Sequence, residues 1–227
     1  MSTEAVREGG APARAREAQA AGALLEAEGL VFVREDRVLF EDLGFALHAG
    51  EALQVEGPNG SGKTTLLRVL CGLALPEEGE VRWRGTDIRR ARSEYLAELA
   101  YIGHQHGVKG ELTPRENLAV ACALGGRRDG VEADEALARM GLSGYEDVPC
   151  RTLSAGQRRR VALARLLLTP ARLWILDEPF TALDRGGRRD IERLISQHLA
   201  QGGLAVFTTH HAVALDGAEA RVVHLGA

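Results

Sequence analysis

The sequence predicts an α/β fold with three parts: a parallel-sheet core, an antiparallel β subdomain ahead of it, and an α-helical subdomain inserted into it. Three observations carry this. A strand-like run, Ala52-Leu53-Gln54-Val55-Glu56, feeds a glycine-rich segment, Gly57-Pro58-Asn59-Gly60-Ser61-Gly62-Lys63-Thr64, and then a helix-like run from Thr65 to Leu70. Two short, continuous apolar runs, Leu173–Leu176 and Leu204–Phe207, suit parallel strands covered on both faces. Between about residues 105 and 168 the patterning turns helical.

Composition sets outer bounds. The 227 residues are 45% hydrophobic and 26% charged, enough for one α/β domain with a sizeable core. The net charge of −4 gives no support for nucleic-acid binding. Cys71, Cys122 and Cys150 are far apart with no Cys-x-x-Cys pair, which argues against a disulfide framework or zinc site and fits a reducing cytosol. No apolar run of about eighteen residues appears, so the sequence predicts no bilayer-spanning helix. The N-terminus lacks the apolar core of a secretory signal. No internal repeat is visible.

Taken in order, residues 1–22 are rich in Ala, Gly, Arg and Glu and read as a disordered tail. Residues 23–227 read as one folded domain. Leu30–Val33, Val38–Phe40 and Leu43–Leu47 are short β-rich runs parted by charged turns such as Arg34-Glu35-Asp36-Arg37. Cys71-Gly72 ends the first helix, with Gly72 as the C′ residue. Glu80–Arg84 is another strand, Arg89–Leu96 a helix, and Leu99–Ile102 a buried strand followed by Gly103-His104-Gln105-His106-Gly107. Thr113 and Pro114 open a helix as N-cap and N1, with Glu116 behind them. Gly125–Gly130 breaks that helix, and Ala133–Met140 forms the next, capped by Gly141. Ser154 caps a long helix that Pro170 closes. Arg188–Leu199 is helical, and Val222–Leu225 is the last strand.

The glycine-rich segment fits the phosphate-loop pattern, a glycine, four residues, then Gly-Lys-Thr. A strand turning into a helix through glycines points several backbone N–H groups at one spot, where the helix dipole also favours an anion. Gly57, Gly60 and Gly62 permit the required backbone conformations. Lys63 is placed to reach the β- and γ-phosphates, and the Thr64 hydroxyl to hold Mg²⁺. Pro58, Asn59, Ser61 and Thr65 complete the contact set. The chain is therefore expected to bind a nucleoside triphosphate.

A second cluster sits at a strand end. Asp177-Glu178 follows Leu173–Leu176 directly, and open α/β sheets bind ligands outside the carboxyl ends of their strands. Asp177 is expected to hold Mg²⁺, directly or through water, and Glu178 to polarise the attacking water as general base. Gln105 and His210 follow two other strands. A neutral amide can ligate Mg²⁺ or its water and sense the γ-phosphate; a histidine can bond that phosphate and orient the water. Leu153-Ser154-Ala155-Gly156-Gln157 opens a helix with small residues and exposed N–H groups, a second anion site. One chain already has one phosphate cradle, so a second suggests that two chains share each nucleotide.

These residues together resemble the nucleotide-binding subunits of ATP-binding-cassette transporters, from Leu24 to the end. Gly57–Thr64 matches the phosphate loop, Gln105 the query loop, Leu153–Gln157 the signature, and Asp177-Glu178 the acidic pair. Ala182-Leu183-Asp184 matches the aspartate loop, and His210 the switch histidine. The resemblance implies ATP and Mg²⁺ as ligands and a head-to-tail dimer. Each ATP is then sandwiched between one chain's phosphate loop and Ser154, Ala155, Gly156 and Gln157 of the other. Ala155 departs from the family's usual glycine but is small. The aromatic residue that the family stacks on adenine falls here on Arg34; a guanidinium plane can stack on a base, and Phe32 is the fallback.

The stretches Tyr101–Lys109, Glu111–Leu118 and Leu173–Ala182, with the Arg34–Arg37 turn, are more narrowly similar to the ATPase subunits of the cytochrome c maturation heme exporter, the CcmA family. That resemblance implies an ATPase, peripheral on the cytoplasmic face of the bacterial inner membrane, working with separate membrane-spanning subunits in heme export or release of a heme-loaded chaperone. The segment from Gln105 to Leu118 is then expected to carry motion to those subunits. A transporter ATPase for another cargo and a non-transport cassette ATPase are the alternatives. His104 and His106 flank Gln105, but loop histidines are usually solvated or hydrogen-bonded, and no Cys-x-x-Cys-His heme motif occurs.

Overall fold

A computed structural model describes residues 22–105, 107–126, 128 and 130–226. The expected tail, apart from Gly22, lies outside the described residues, as do His106 and, within the expected helix break, Arg127 and Asp129.

Two sheets organise the chain. The first is antiparallel, in the order β2-β1-β4-β5, built from β1 (Leu25–Arg34), β2 (Arg37–Leu47), β4 (Glu78–Trp83) and β5 (Thr86–Asp87). The second is parallel, in the order β6-β7-β8-β3-β9, built from β3 (Ala52–Glu56), β6 (Leu99–Ile102), β7 (Leu173–Leu176), β8 (Leu204–Thr208) and β9 (Ala220–His224). Every residue of β7 and β8 is buried, as continuous apolar runs require of strands covered on both faces.

The three short β-runs expected between Leu30 and Leu47 are two long strands. Register shifts in the β1–β2 ladder, between Ala27 and Leu30 and again around Phe32, interrupt the apolar alternation without ending either strand. The hairpin closes through Glu35 and Asp36, both at positive φ (50° and 65°), which brings Arg34 and Arg37 directly opposite each other.

The helices are α1 (Lys63–Leu70), α2 (Arg92–Ala97), α3 (Pro114–Gly125), α4 (Ala133–Arg139), α5 (Ala155–Leu168) and α6 (Arg185–Ala200). Caps decide their ends. Gly72, at φ 65°, closes α1; the amide of Leu73 donates to the carbonyl of Arg68 and that of Gly72 to Val69. Thr113 and Glu116 form a capping box on α3, and Ser154 and Gln157 form one on α5. α2 starts three residues later than expected, because the Asp87 carboxylate holds the amide and guanidinium of Arg89 in a turn. α6 starts three residues earlier, because Asp184 accepts from the Gly187 amide at 2.8 Å and caps it.

The parallel sheet separates two apolar cores. Successive side chains of a strand point to opposite faces. Leu173 and Ile175 of β7, with Leu204 and Val206 of β8, pack with α1 and the antiparallel sheet. Trp174 and Leu176, with Ala205 and Phe207, pack with α3 to α6. On that second side the His198 ring of α6 stacks on Trp174 at a centroid distance of 3.7 Å.

Candidate functional site

Because β3, β6, β7 and β8 run parallel, their carboxyl ends share one edge. Four chemistry-bearing segments follow from that edge: Gly57–Thr64, Gly103–Gln105, Asp177-Glu178 and Thr208–His210. A cavity of about 730 Å³ opens there. That size lies in the range of small-ligand sites.

One wall is the glycine-rich loop, contributing Asn59, Gly60, Gly62, Lys63, Thr64 and Thr65. Gly57 adopts φ 146°, and a Cβ there would collide with the Leu225 carbonyl and stand 2.6 Å from Ser61 Oγ. Gly62 takes the left-handed conformation as the cap of α1, which leaves the amides at the helix start without a side-chain cap. The Lys63 stem is buried, and its Nζ donates to the carbonyls of Gly57 at 2.7 Å and Pro58 at 3.1 Å. Ser61 Oγ is buried without a hydrogen-bond partner. The uncapped amides at the start of α1, with a lysine across the loop, are the donor set an oxyanion needs.

The opposite wall is Asp177, Glu178, Thr181 and His210. Asp177 is 2% exposed, and both its oxygens accept hydroxyl protons. Thr64 Oγ1 donates to Oδ2 at 2.8 Å, and Thr208 Oγ1 donates to Oδ1 at 2.8 Å. The same Thr208 oxygen accepts from the Glu178 amide at 2.8 Å. Glu178 sits at φ 53°, a left-handed backbone that a residue with a Cβ rarely adopts; such strain collects at functional sites. Its Oε1 lies 3.2 Å from His210 Nε2, and Thr181 Oγ1 donates to Oε2 at 3.4 Å. A carboxylate and a hydroxyl, both hard oxygen donors, converge where Thr64 meets Asp177, and this fits Mg²⁺.

Arg159 underlies this wall. It is 1% exposed and donates to the carbonyls of Asp177 at 2.6 Å, Gly103 at 3.0 Å and Pro179 at 3.4 Å. Burial pushes its guanidinium pKa down to about 10, against the opposing pull of the Asp177 and Glu178 carboxylates.

The cavity mouth carries Arg34, Glu35, Arg37 and Leu39 from the β1–β2 hairpin, and His104. Arg34 is therefore on the wall. Phe32 is not: its ring packs on Phe40, with centroids 5.8 Å apart. Gln105 is exposed and off the wall, and His104 holds the position beside it. Gly57, Pro58 and Ser61 support the loop without lining the cavity. Ser154, Ala155, Gly156, Gln157 and Asp184 also stand apart from it, at the starts of α5 and α6.

Sequence reasoning missed Thr208 and Arg159. Thr208 did carry a signal: it is the first polar residue after an apolar strand run, as Asp177 is. In Arg158-Arg159-Arg160 nothing local marks the middle residue as the one turned inward.

A family profile described as ABC transporter matches residues 40–181, a span that holds Lys63, Asp177 and Glu178 and stops short of Asp184 and His210. A Methylococcus capsulatus protein named cytochrome c biogenesis ATP-binding export protein CcmA is 58% identical over 192 residues, covering 84% of this chain and 93% of its own. A Nitrosococcus oceani protein of the same name is 53% identical over 203 residues, covering 89% and 92%. Among solved structures, an ABC transporter ATP-binding protein from Pyrococcus furiosus is similar with a TM-score of 0.75, covering 88% of this chain and 96% of that one; at 23% identity the likeness concerns the fold. An ATP-binding subunit of an ABC transporter is similar with a TM-score of 0.72 at 26% identity, covering 82% and 80%.

Proposed function

The chain belongs to the ABC transporter family, and we propose that it is the subunit whose ATP hydrolysis drives heme export, or release of a heme-loaded chaperone, in cytochrome c maturation. It is an ATPase. The single observation behind the site assignment is the Thr64–Asp177 contact, which joins the phosphate loop to the acidic strand end across one cavity.

In the proposed mechanism, the loop amides of Gly60 and of Gly62 to Thr65 take phosphate oxygens, while Ser61, off the cavity wall, braces the loop through the hydrogen bond from its amide to the Pro58 carbonyl. Lys63 exchanges the Gly57 and Pro58 carbonyls for the β- and γ-phosphates. Mg²⁺, if held by Thr64 and Asp177, would supply positive charge against the triphosphate oxygens; Gln105, off the cavity wall here, would have to turn inward to join them. Glu178 accepts a proton from the attacking water, and His210, bonded to Glu178, fixes that carboxylate and the γ-phosphate. Arg34 provides the plane under the adenine base, since Phe32 is committed to Phe40.

The Ser154–Gln157 helix start stands apart from its own chain's cavity, with Ser154 and Ala155 exposed. Its capping box engages the Ser154 and Gln157 amides, so the Ala155 and Gly156 amides are the donors proposed for an anion. This supports a head-to-tail dimer in which Ser154, Ala155, Gly156 and Gln157 close over the partner's γ-phosphate, with Asp184 beside the junction. ATP then favours the closed pair because each nucleotide touches both chains. Residues 23–227 act as one nucleotide-binding domain, with about 105–168 as its helical subdomain. Among the described residues no helix is long and apolar enough to cross a membrane. Separate membrane-spanning subunits would hold the chain at the cytoplasmic face of the inner membrane, and nucleic acid has no part in the reading.

The test is Mg²⁺-dependent phosphate release by the chain purified with its membrane partners, with and without heme or a heme-loaded chaperone. Stimulation by heme species supports the cargo. Stimulation by an unrelated cargo alone would overturn it while leaving the ATPase assignment standing.

A further inference from the structure

α5 begins at the exposed capping box of Ser154 and Gln157, and Arg159 follows about 7 Å along the axis. From there it turns inward and ties down main-chain carbonyls behind two adjacent strands: Gly103 after β6, Asp177 and Pro179 after β7. A guanidinium is a planar, rigid fork, so bonds to several carbonyls fix orientation as well as distance. Charge-assisted bonds are stronger than neutral ones, and buried carbonyls that lose their donors are costly. The strand ends therefore cannot shift against α5 without breaking this set. Other contacts make the start of α5 stiff. A Cβ on Gly156 would lie 2.6 Å from the Ala182 carbonyl. Arg160 bonds the Met140 carbonyl at 3.0 Å and approaches Asp184 and Asp190, each at 3.4 Å.

We propose that Arg159 is a positioning residue that carries the state of the Ser154–Gln157 helix start to the same chain's Asp177-Glu178 pair and Gln105 loop. The proposal rests on the two-chain reading above. In a head-to-tail pair that helix start meets the partner's nucleotide, so Arg159 connects one nucleotide site to the carboxylates of the other.

A mixed dimer isolates this link. One chain, isotopically labelled, carries Lys63→Ala and holds no nucleotide of its own. The other carries Glu178→Gln and keeps ATP bound. Amide hydrogen exchange is followed in the labelled chain. On addition of Mg·ATP, the amides of residues 154–157 slow, and those of Gly103, His104, Gln105, Asp177, Glu178 and Phe180 slow with them, at least tenfold. Arg159→Gln in the labelled chain keeps the slowing at 154–157 and removes it at the strand ends; Arg159→Lys restores part of it. In the ordinary homodimer, Arg159→Lys lowers kcat at least fivefold with the Kd for ATP unchanged. Protection at 154–157 without any at the strand ends, or strand-end protection that survives Arg159→Gln, overturns the proposal. Should Arg159→Gln fail to fold by thermal melt, the parent mixed dimer and Arg159→Lys still decide. If ATP does not pair the chains at all, the two-chain reading fails and the link falls with it.

Discussion

Thr208 Oγ1 donates to Asp177 Oδ1 at 2.8 Å and accepts from the Glu178 amide at 2.8 Å. One hydroxyl on β8 thus orients the proposed metal ligand and pins the strained backbone of the proposed general base. Thr208→Val keeps the shape and deletes the oxygen. A fall in kcat of roughly 10- to 100-fold is expected, about 1.4–2.7 kcal/mol of barrier, with ATP affinity nearly unchanged. Stopped-assay kinetics beside equilibrium nucleotide titration check it; parental kcat would show that Asp177 and Glu178 hold themselves in place.

Glu178→Gln retains the size and the amide bond to Thr208 and removes the basic oxygen. The variant should bind Mg·ATP, persist as a dimer and turn over at least a hundredfold more slowly. Size-exclusion chromatography with ATP, read against phosphate release, measures both. Turnover at the parental rate would assign the base elsewhere.

The loop glycines are not equivalent. At Gly57 an added Cβ would run into the Leu225 carbonyl, whereas at Gly60, φ 81°, it would meet nothing within 4 Å. Gly60→Ala should cost only the left-handed backbone, about 1 kcal/mol. Gly57→Ala should cost more and should also displace the loop from the phosphates. Thermal melts with and without Mg·ATP separate the two: Gly60→Ala keeps a nucleotide-induced shift and Gly57→Ala loses it.

Lys63→Ala should weaken ATP binding at least tenfold, because no other cationic side chain reaches the Gly57–Thr64 loop among the described hydrogen bonds. Removing Mg²⁺ with a chelator should abolish turnover and leave partial binding. Fluorescent-nucleotide titration tests both, and undiminished ATP binding by Lys63→Ala would contradict the assignment of the loop.

His198 gives a pH dependence remote from the cavity. Its Nε2 donates to the carbonyls of Arg172 at 3.0 Å and Leu204 at 3.2 Å. Burial pushes its pKa down to about 4 from 6.5, and those carbonyls only partly offset the effect. Between these values the unfolded chain binds a proton here that the folded chain does not. Its contribution to stability is thus complete above about pH 6.5 and is lost as pH falls toward 4. His198→Phe keeps a ring against Trp174 and should flatten that part of the stability profile. Melting temperatures from pH 4.5 to 7 test it; an unchanged slope would place the titration in another group.

Legibility followed locality. β7 was legible residue for residue, Leu173–Leu176, because a continuous apolar run ends at an acidic pair. Thr113 and Ser154 were legible as caps, because a cap and its partner lie within one turn. The expected start of α6 at Arg188 falls three residues late, because Gly186 and Gly187 have low intrinsic helix propensity and only the Asp184 cap on the Gly187 amide holds them in the first turn. The β1–β2 hairpin looked like three strands, since register shifts disturb the alternation that reveals a strand. Within the site, Lys63, Thr64, Asp177, Glu178 and His210 stood out by residue type at strand ends. Arg34 and Phe32 were separable only by packing. Thr208 carried the mark of a polar residue ending an apolar run, but its role rests on a partner 31 residues away, and Arg159 was marked only by its bond to the Asp177 carbonyl 18 residues away.

The parallel sheet parts two greasy interiors, with the antiparallel strands and α1 behind one and α3 to α6 behind the other. Both interiors lean on the same two strands, since β7 and β8 send alternate side chains into each. A void opened on either side therefore loosens the strands whose carboxyl ends carry Asp177 and Thr208, so damage far from the triphosphate cavity can still blunt it.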